Sequence, residues 1–177
     1  MKQSGILLPL SSLPSPYGIG TLGKEAYKFI DFLKASNQKL WQLLPIHQTS
    51  YGDSPYQSPS AFAGNPYFIS IEGRKKEGVL TAAECKAAQM EVSAQVDYET
   101  LNETRLPLLR KAYERSNISQ DPAFAEFCRE NSWWLEDYAL YMAVKEAFGN
   151  ACWTEWEEDI RMRRPEAVKE YTKEYSS

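Results

Sequence analysis

At 177 residues and 20.3 kDa, with 43% hydrophobic and 25% charged residues, the chain has the length and composition of a folded domain with its own core, which excludes intrinsic disorder. A net charge of -4 argues against a general nucleic-acid binder and in favour of neutral ligands. Cys85, Cys128 and Cys152 are odd in number, widely spaced and outside any C-x-x-C pattern, so neither a disulfide framework nor a zinc site is indicated and three reduced, partly buried thiols are expected.

Met1-Lys2-Gln3-Ser4 leads into six largely apolar residues before Ser11, too few for a signal peptide or a membrane span, and the expected location is cytoplasmic. The apolar run 5–10 reads as a strand buried on both faces, and Pro14, Pro16, Gly18 and Gly20 mark the following segment as a loop. Thr21 is expected to cap a helix in which Ala26, Phe29, Ile30 and Leu33 recur at spacings of three and four. A second apolar run, 40–44, is stopped by Pro45. Strand, helix, strand is a βαβ unit with parallel strands, so the loops 9–20 and 45–66 should lie side by side on the face where α/β proteins bind ligands.

Residues 68–71 read as a further short strand or an extended return, after which the pattern turns helical. A helix is expected over 77–89 with Thr81 as cap. Another is expected over 98–115, with Leu101, Leu108, Leu109, Ala112 and Tyr113 on its apolar stripe and Pro107 kinking or splitting it. Asp121-Pro122 has the form of a cap and first helical residue, and Ser132 of a cap for a helix running to Phe148 and closed by Gly149-Asn150. Trp134, Tyr138, Tyr141 and Met142 form an aromatic stripe at helical spacing, read as core. The mixed acids and arginines of 155–164 read as a solvated face, and Pro165 opens a last polar helix over 166–175.

The informative stretch is 51–67, YGDSPYQSPSAFAGNPY, which follows neither the helical nor the strand period yet carries four aromatic rings, three prolines and two glycines. A stiff aromatic loop on a rigid scaffold is a binding element. Tyrosine faces stack, and Asp, Ser, Gln and Asn pair with hydroxyls, a combination suited to a sugar ring. Asp53 reads either as the acid of a local Asx turn or cap or as a sugar contact. Phe62 and Tyr67 read as anchors of the loop, and Asn65 as a residue with an unusual backbone angle or one bonded to nearby carbonyls. His47, the single histidine, has no catalytic or metal partner at motif spacing; Ser11 and Ser12 lack a G-x-S-x-G context; no P-loop or dinucleotide fingerprint occurs.

GDSPYQSPSAFAGNP, residues 52–66, resembles the loop of the 4-α-glucanotransferases (amylomaltases and disproportionating enzymes, glycoside hydrolase family 77), as do GILLPLSSLPSPYGIGTLG at 5–23, WQLLP at 41–45 and WWLEDYAL at 133–140. The resemblance implies an α/β fold: the first βα units of a (β/α)8 TIM barrel with a mainly helical insertion, the barrel incomplete because a whole one takes about 250 residues. The implied division is 1–72, with the substrate loop 45–67, and 73–177, a helical subdomain. It implies that Tyr56 stacks under the glucose ring beside the scissile bond, that Ser54 hydrogen-bonds the glucan and that Tyr51 lines a second glucan site.

His47 departs from the small residue the family often shows there. Val96-Asp97-Tyr98 resembles the family, but an aromatic residue present near Asn102 in some relatives is replaced. The family reaction is retaining transfer of α-1,4-glucan segments between maltodextrin chains through a covalent glycosyl-enzyme, with glucose as an acceptor and no metal or organic cofactor. The catalytic carboxylates lie on later strands of the family barrel, so no catalytic residue is expected here and the chain alone is expected to be inactive. The other readings are a stand-alone glucan-binding module and an inactive truncated chain. Neither a nucleic acid nor a membrane is an expected partner, whereas self-association through unpaired strand edges is.

Overall fold

Two three-residue strands, β1 (Gly5–Leu7) and β2 (Leu40–Gln42), pair in parallel with Gly5 opposite Leu40, Ile6 opposite Trp41 and Leu7 opposite Gln42, joined through helix α1 (Lys24–Ala35) as the sequence pattern requires. The structure, a computed structural model, describes residues 2–91 and 93–175. Contacts divide the chain into two units, Met1–Ile118 and Ser119–Ser177. None of the described helices is long and apolar enough to cross a membrane.

The strands meet so closely that a Cβ on Gly5 would lie 2.4 Å from the Leu40 carbonyl oxygen. Trp41 donates its indole N–H to Leu8 O at 2.8 Å and packs edge-on against Phe29 of α1, so one side of the pair is covered. The expected burial on both faces is not found: Leu7 and Leu40 are each more than half exposed, while Trp41 between them in the sheet is half-buried against the first core cluster and Phe29 of α1. The Thr21 cap is also corrected. Gly23 is the N-cap, with no side-chain bond, and its carbonyl accepts from Ala26 N and Tyr27 N. Its bare Cα lies against Ser70, whose Oγ a Cβ there would approach to 2.9 Å.

After β2 the chain runs irregularly to a 3-10 turn, Pro66–Phe68, passes through Ile69 and Ser70 in extended backbone and enters helix α2 (Ile71–Lys76), so over 68–71 the expected strand is absent and the alternative, an extended return, holds for its two middle residues. Proline at the first position of the turn and the Ser70 Oγ accepting from Gly73 N decide for helical turns. Gly78, at φ +80, ends α2 and splits the expected 77–89 helix, leaving α3 (Ala82–Ala87). The Thr81 cap is present as a full capping box with Glu84.

Helix α4 (Tyr98–Arg115) has the predicted limits, and Pro107 lies within it without dividing it. Its buried stripe is Leu101, Arg105, Leu108 and Ala112, whereas Tyr113 points into water. Leu101 joins a cluster with Leu10, Leu13, Ile19, Ala26 and Phe68, while Leu108 and Ala112 join a second with Tyr17, Ile71, Leu80 and Cys85. One helix therefore seals both cores of this unit.

In the second unit α5 (Pro122–Ala147) runs unbroken from the Asp121 cap, so Ser132 caps nothing; its hydroxyl donates to Arg129 O inside the helix. Gly149 and Asn150, both left-handed, end it as expected. Helices α6 (Glu158–Arg161) and α7 (Pro165–Glu174) bring Ile160 and Ala167 to Val144 and Trp156; of the ring stripe, half-buried throughout, Tyr141 packs on this core, while Trp134 and Tyr138 pair with each other 6.1 Å apart. Cys85 is buried, Cys128 half-buried and Cys152 exposed, and all three are free thiols.

Glu84 holds Arg115 through two 2.8 Å bonds and also accepts from Thr81, and the Arg115 bonds in first place keep its carboxyl well below the ordinary value of 4.5. A folded-state value below the unfolded one gives stabilisation that is complete above about pH 4.5 and is lost as the pH falls further. The difference in unfolding free energy between wild type and Glu84→Gln, measured by urea titration, should therefore be widest above pH 4.5 and close on acidification. A gap that does not change with pH would count against this role.

Candidate functional site

The two segments that follow the carboxyl ends of β1 and β2 form the candidate site. The first is drawn tight by Gly20, whose N–H donates to Ser11 O at 3.1 Å and whose missing side chain leaves no room for a methyl, since a Cβ would sit 2.0 Å from Leu10 O. Leu22 N donates to Phe68 O at 2.9 Å, tying the end of the first segment to the end of the second.

The second loop is closed at its base by an antiparallel bridge between His47 and Gly64 and by the bond from Asn65 N to Ile46 O at 3.0 Å. His47 therefore acts through its backbone in shaping the loop, and no group of metal-ligating side chains occurs among the described residues. Within the loop Ser50 N donates to Gln57 O, Asp53 N to Ser50 O and Gln57 N to Ser54 O. Gly52 and Asp53 follow one another in the left-handed region, at φ +73 and +51, a conformation glycine and aspartate tolerate best. Serine side chains finish the path: Ser54 Oγ accepts from Tyr56 N, and Ser60 Oγ accepts from Phe62 N and Ala63 N.

Asn65 is 5% exposed, and its Oδ1 accepts from Tyr67 N at 2.9 Å, capping the 3-10 turn. The unusual backbone angle expected of it is absent, since its φ is -76. Its side chain serves an N–H, not a carbonyl. Tyr67 is the anchor that was expected, packed on the first core cluster with its ring 6.1 Å from that of Tyr98, the first residue of α4. Phe62 keeps 56% of its surface exposed, so it carries less of the anchoring than expected.

Burial, and then the charge of the Asp53 carboxylate, push the Tyr67 and Tyr98 hydroxyls above their ordinary value. The Asx-turn role is filled by Ser54, not Asp53. Tyr56 stands 73% exposed, while Ser54 and Asp53 are half-buried. Tyr51 opens the turn Tyr51–Asp53, but its side chain lies outside the described residues. Asn102 is exposed on α4, one turn beyond Tyr98. The loop thus offers an open ring, a hydroxyl and a carboxylate above a fixed base.

Sequence reasoning passed over Arg105. It is 2% exposed, donates from Nη2 to Ile69 O at 2.6 Å and, at a longer 3.4 Å, from Nη1 to Tyr17 O, and its Nε is buried with no hydrogen-bond partner among the described residues. Burial pulls its pKa down to about 10, which leaves it charged at neutral pH. The signal was present: 101, 105, 108 and 112 share one helical face, with an arginine among apolar residues.

Residues 8–177 match the family model described as 4-alpha-glucanotransferase. Over 173 residues the chain is 46% identical to a 4-alpha-glucanotransferase of Streptococcus pneumoniae, covering 96% of this chain and 34% of that protein. Over 166 residues it is 43% identical to one from Clostridium butyricum, covering 93% of this chain and 34% of the other. The structure superposes on an amylomaltase from Streptococcus agalactiae in complex with acarbose with a TM-score of 0.90 at 39% identity, covering 99% of this chain and 36% of that one. The chain spans about a third of the length of these relatives.

Asn65 offers a direct test of the loop's base. Asn65→Ala removes the acceptor for Tyr67 N and should cost about 1 to 2 kcal/mol in urea unfolding, whereas Asn65→Asp, which keeps an acceptor oxygen, should lose less. Equal losses in the two variants would mean that the capping bond contributes nothing.

Proposed function

Because the chain belongs to the 4-alpha-glucanotransferase family, we propose that it forms the glucan-binding loops of an enzyme that transfers α-1,4-glucan segments between maltodextrin chains, with glucose as an acceptor. The observation that carries the reading is the exposed Tyr56 ring on a loop whose backbone is closed on itself and on the scaffold. Tyr56 stacks on the sugar beside the scissile bond; Ser54 and Asp53 hydrogen-bond its hydroxyls; Tyr51 contributes to a second glucan site. The proposed setting is the cytoplasm.

The proposed transfer retains anomeric configuration. A carboxylate attacks the anomeric carbon while a second carboxyl group, about 5 to 5.5 Å away, protonates the departing oxygen, and the glycosyl-enzyme then passes to an acceptor hydroxyl. None of the residues described in this loop is assigned either role. In the proposed architecture residues 1–72 supply the first βα units of a (β/α)8 barrel with the substrate loop at 45–67, and 73–177 form a mainly helical insertion. The parallel strand pair and the position of both loops after its carboxyl ends support that assignment.

Three outcomes are expected of the 177-residue chain. Supplied with maltotriose, it releases no glucose above a no-protein control; measurable release would mean that the chain holds its own acid pair. In calorimetric titration it binds maltoheptaose, and Tyr56→Ala weakens binding about tenfold to a hundredfold, the roughly 1 to 3 kcal/mol of an aromatic stacking contact, with Tyr56→Phe milder. Wild-type affinity in Tyr56→Ala would make the tyrosine a bystander. The exposed Leu7, Leu40 and Phe32 side chains and the short, unpaired strand edges further support self-association of the isolated chain, so light scattering should give a dimer or larger species and not a monomer at high concentration.

A further inference from the structure

Arg105 has no carboxylate partner among the described residues, although an arginine buried to 2% exposure in the middle of a helix would ordinarily be paired or replaced by an apolar residue of similar volume. Its neighbours on the stripe, Leu101, Leu108 and Ala112, show that packing alone asks for an apolar side chain there. What the guanidinium does instead is specific. One nitrogen donates to Ile69 O, two residues beyond the anchor Tyr67 of the second loop, and another to Tyr17 O, within the first loop. A guanidinium holds its donors in a rigid planar fork, so the two carbonyls it grips are held at a set separation.

We propose that Arg105 is a positioning residue: by spanning the two strand-end loops it sets their spacing, and with it the placement of Tyr56 and Asp53 against a bound glucan. The glucan part rests on the function proposed above. The loop part stands on the hydrogen bonds themselves.

The test uses the 177-residue chain with Arg105→Met, which keeps volume and removes both donors, and Arg105→Lys, whose single ammonium cannot span both carbonyls. Amide hydrogen exchange and calorimetric titration with maltoheptaose are read on each, with circular dichroism as the check on folding. In Arg105→Met, exchange should quicken in residues 17–22 and 66–70 and stay at wild-type rates in α3 and α5. Maltoheptaose affinity should fall about tenfold, the size set by loss of a buried charge-assisted hydrogen bond. Arg105→Lys should recover part of both changes.

Wild-type exchange in both loops, or faster exchange spread evenly over the unit, would overturn the proposal. So would faster loop exchange with unaltered affinity, which would leave Arg105 a structural support only. If Arg105→Met does not fold, the lysine variant decides: quickened exchange in either loop together with weakened binding supports the clamp, and wild-type values in both readings reject it. Failure of the wild-type chain to bind maltoheptaose would sink the glucan reading instead, and loop exchange alone would then decide the clamp.

Discussion

Backbone polar groups that leave water must find partners, and between Pro45 and Ser70 no helix or strand ladder is long enough to supply them. The chain meets this constraint locally. Asn65 N reaches Ile46 O across the base, Ser50 and Gln57 close the tip, and serine hydroxyls and the Asn65 amide take up N–H groups of Tyr56, Phe62, Ala63 and Tyr67. A loop whose hydrogen bonds are answered from within keeps its shape without a ligand. That fixed shape is what lets an exposed ring such as Tyr56 remain oriented, when a flexible tyrosine would lose on ordering what it gained on stacking.

The scaffold beneath follows from the same economy. The parallel strands bring two segments to one edge, and α4 then closes the underside by burying Leu101 in one cluster and Leu108 and Ala112 in the other. The second unit is held by different means, a ring cluster of Tyr141, Phe148, Trp156 and Tyr171 around Val144, whose offset and tilted contacts lie 5.3 to 6.4 Å apart. Charges such as Arg164 with Glu158 and Asp159 stay on its exposed side, where ion pairs contribute little.

How much of this was legible in the sequence depended on the range of the determining contact. The βαβ unit, the Thr81 and Asp121 caps, the limits of α4 and the loop itself were written in neighbouring residues, and each is present. The failures share a cause. Thr21 was displaced as cap by Gly23, whose place is decided by Ser70 some fifty residues away; no strand forms over 68–71, where helical turns begun by Pro66 and capped by Ser70 flank an extended Ile69 and Ser70; Leu7 and Leu40 are open because apolar runs show what a strand can bury, not which layers cover it. In the loop, Ser54 turns the backbone through its bond from Tyr56 N, and Tyr56 stands exposed. Asn65 and Arg105 owe their roles to partners that spacing alone does not reveal.

Arg105 grips carbonyl oxygens, and a carbonyl belongs to every amino acid. The arrangement therefore distributes freedom to vary unevenly. Ile69 is 39% exposed and offers the clamp only its main chain, so many side chains could stand there and leave the grip intact. Position 105 has no such latitude, because no other side chain combines that reach with two separate donors in one plane. A change of side chain at the rim of the loop leaves the grip in place, whereas a change at the residue that supplies it, on a helix more than thirty positions away, removes it.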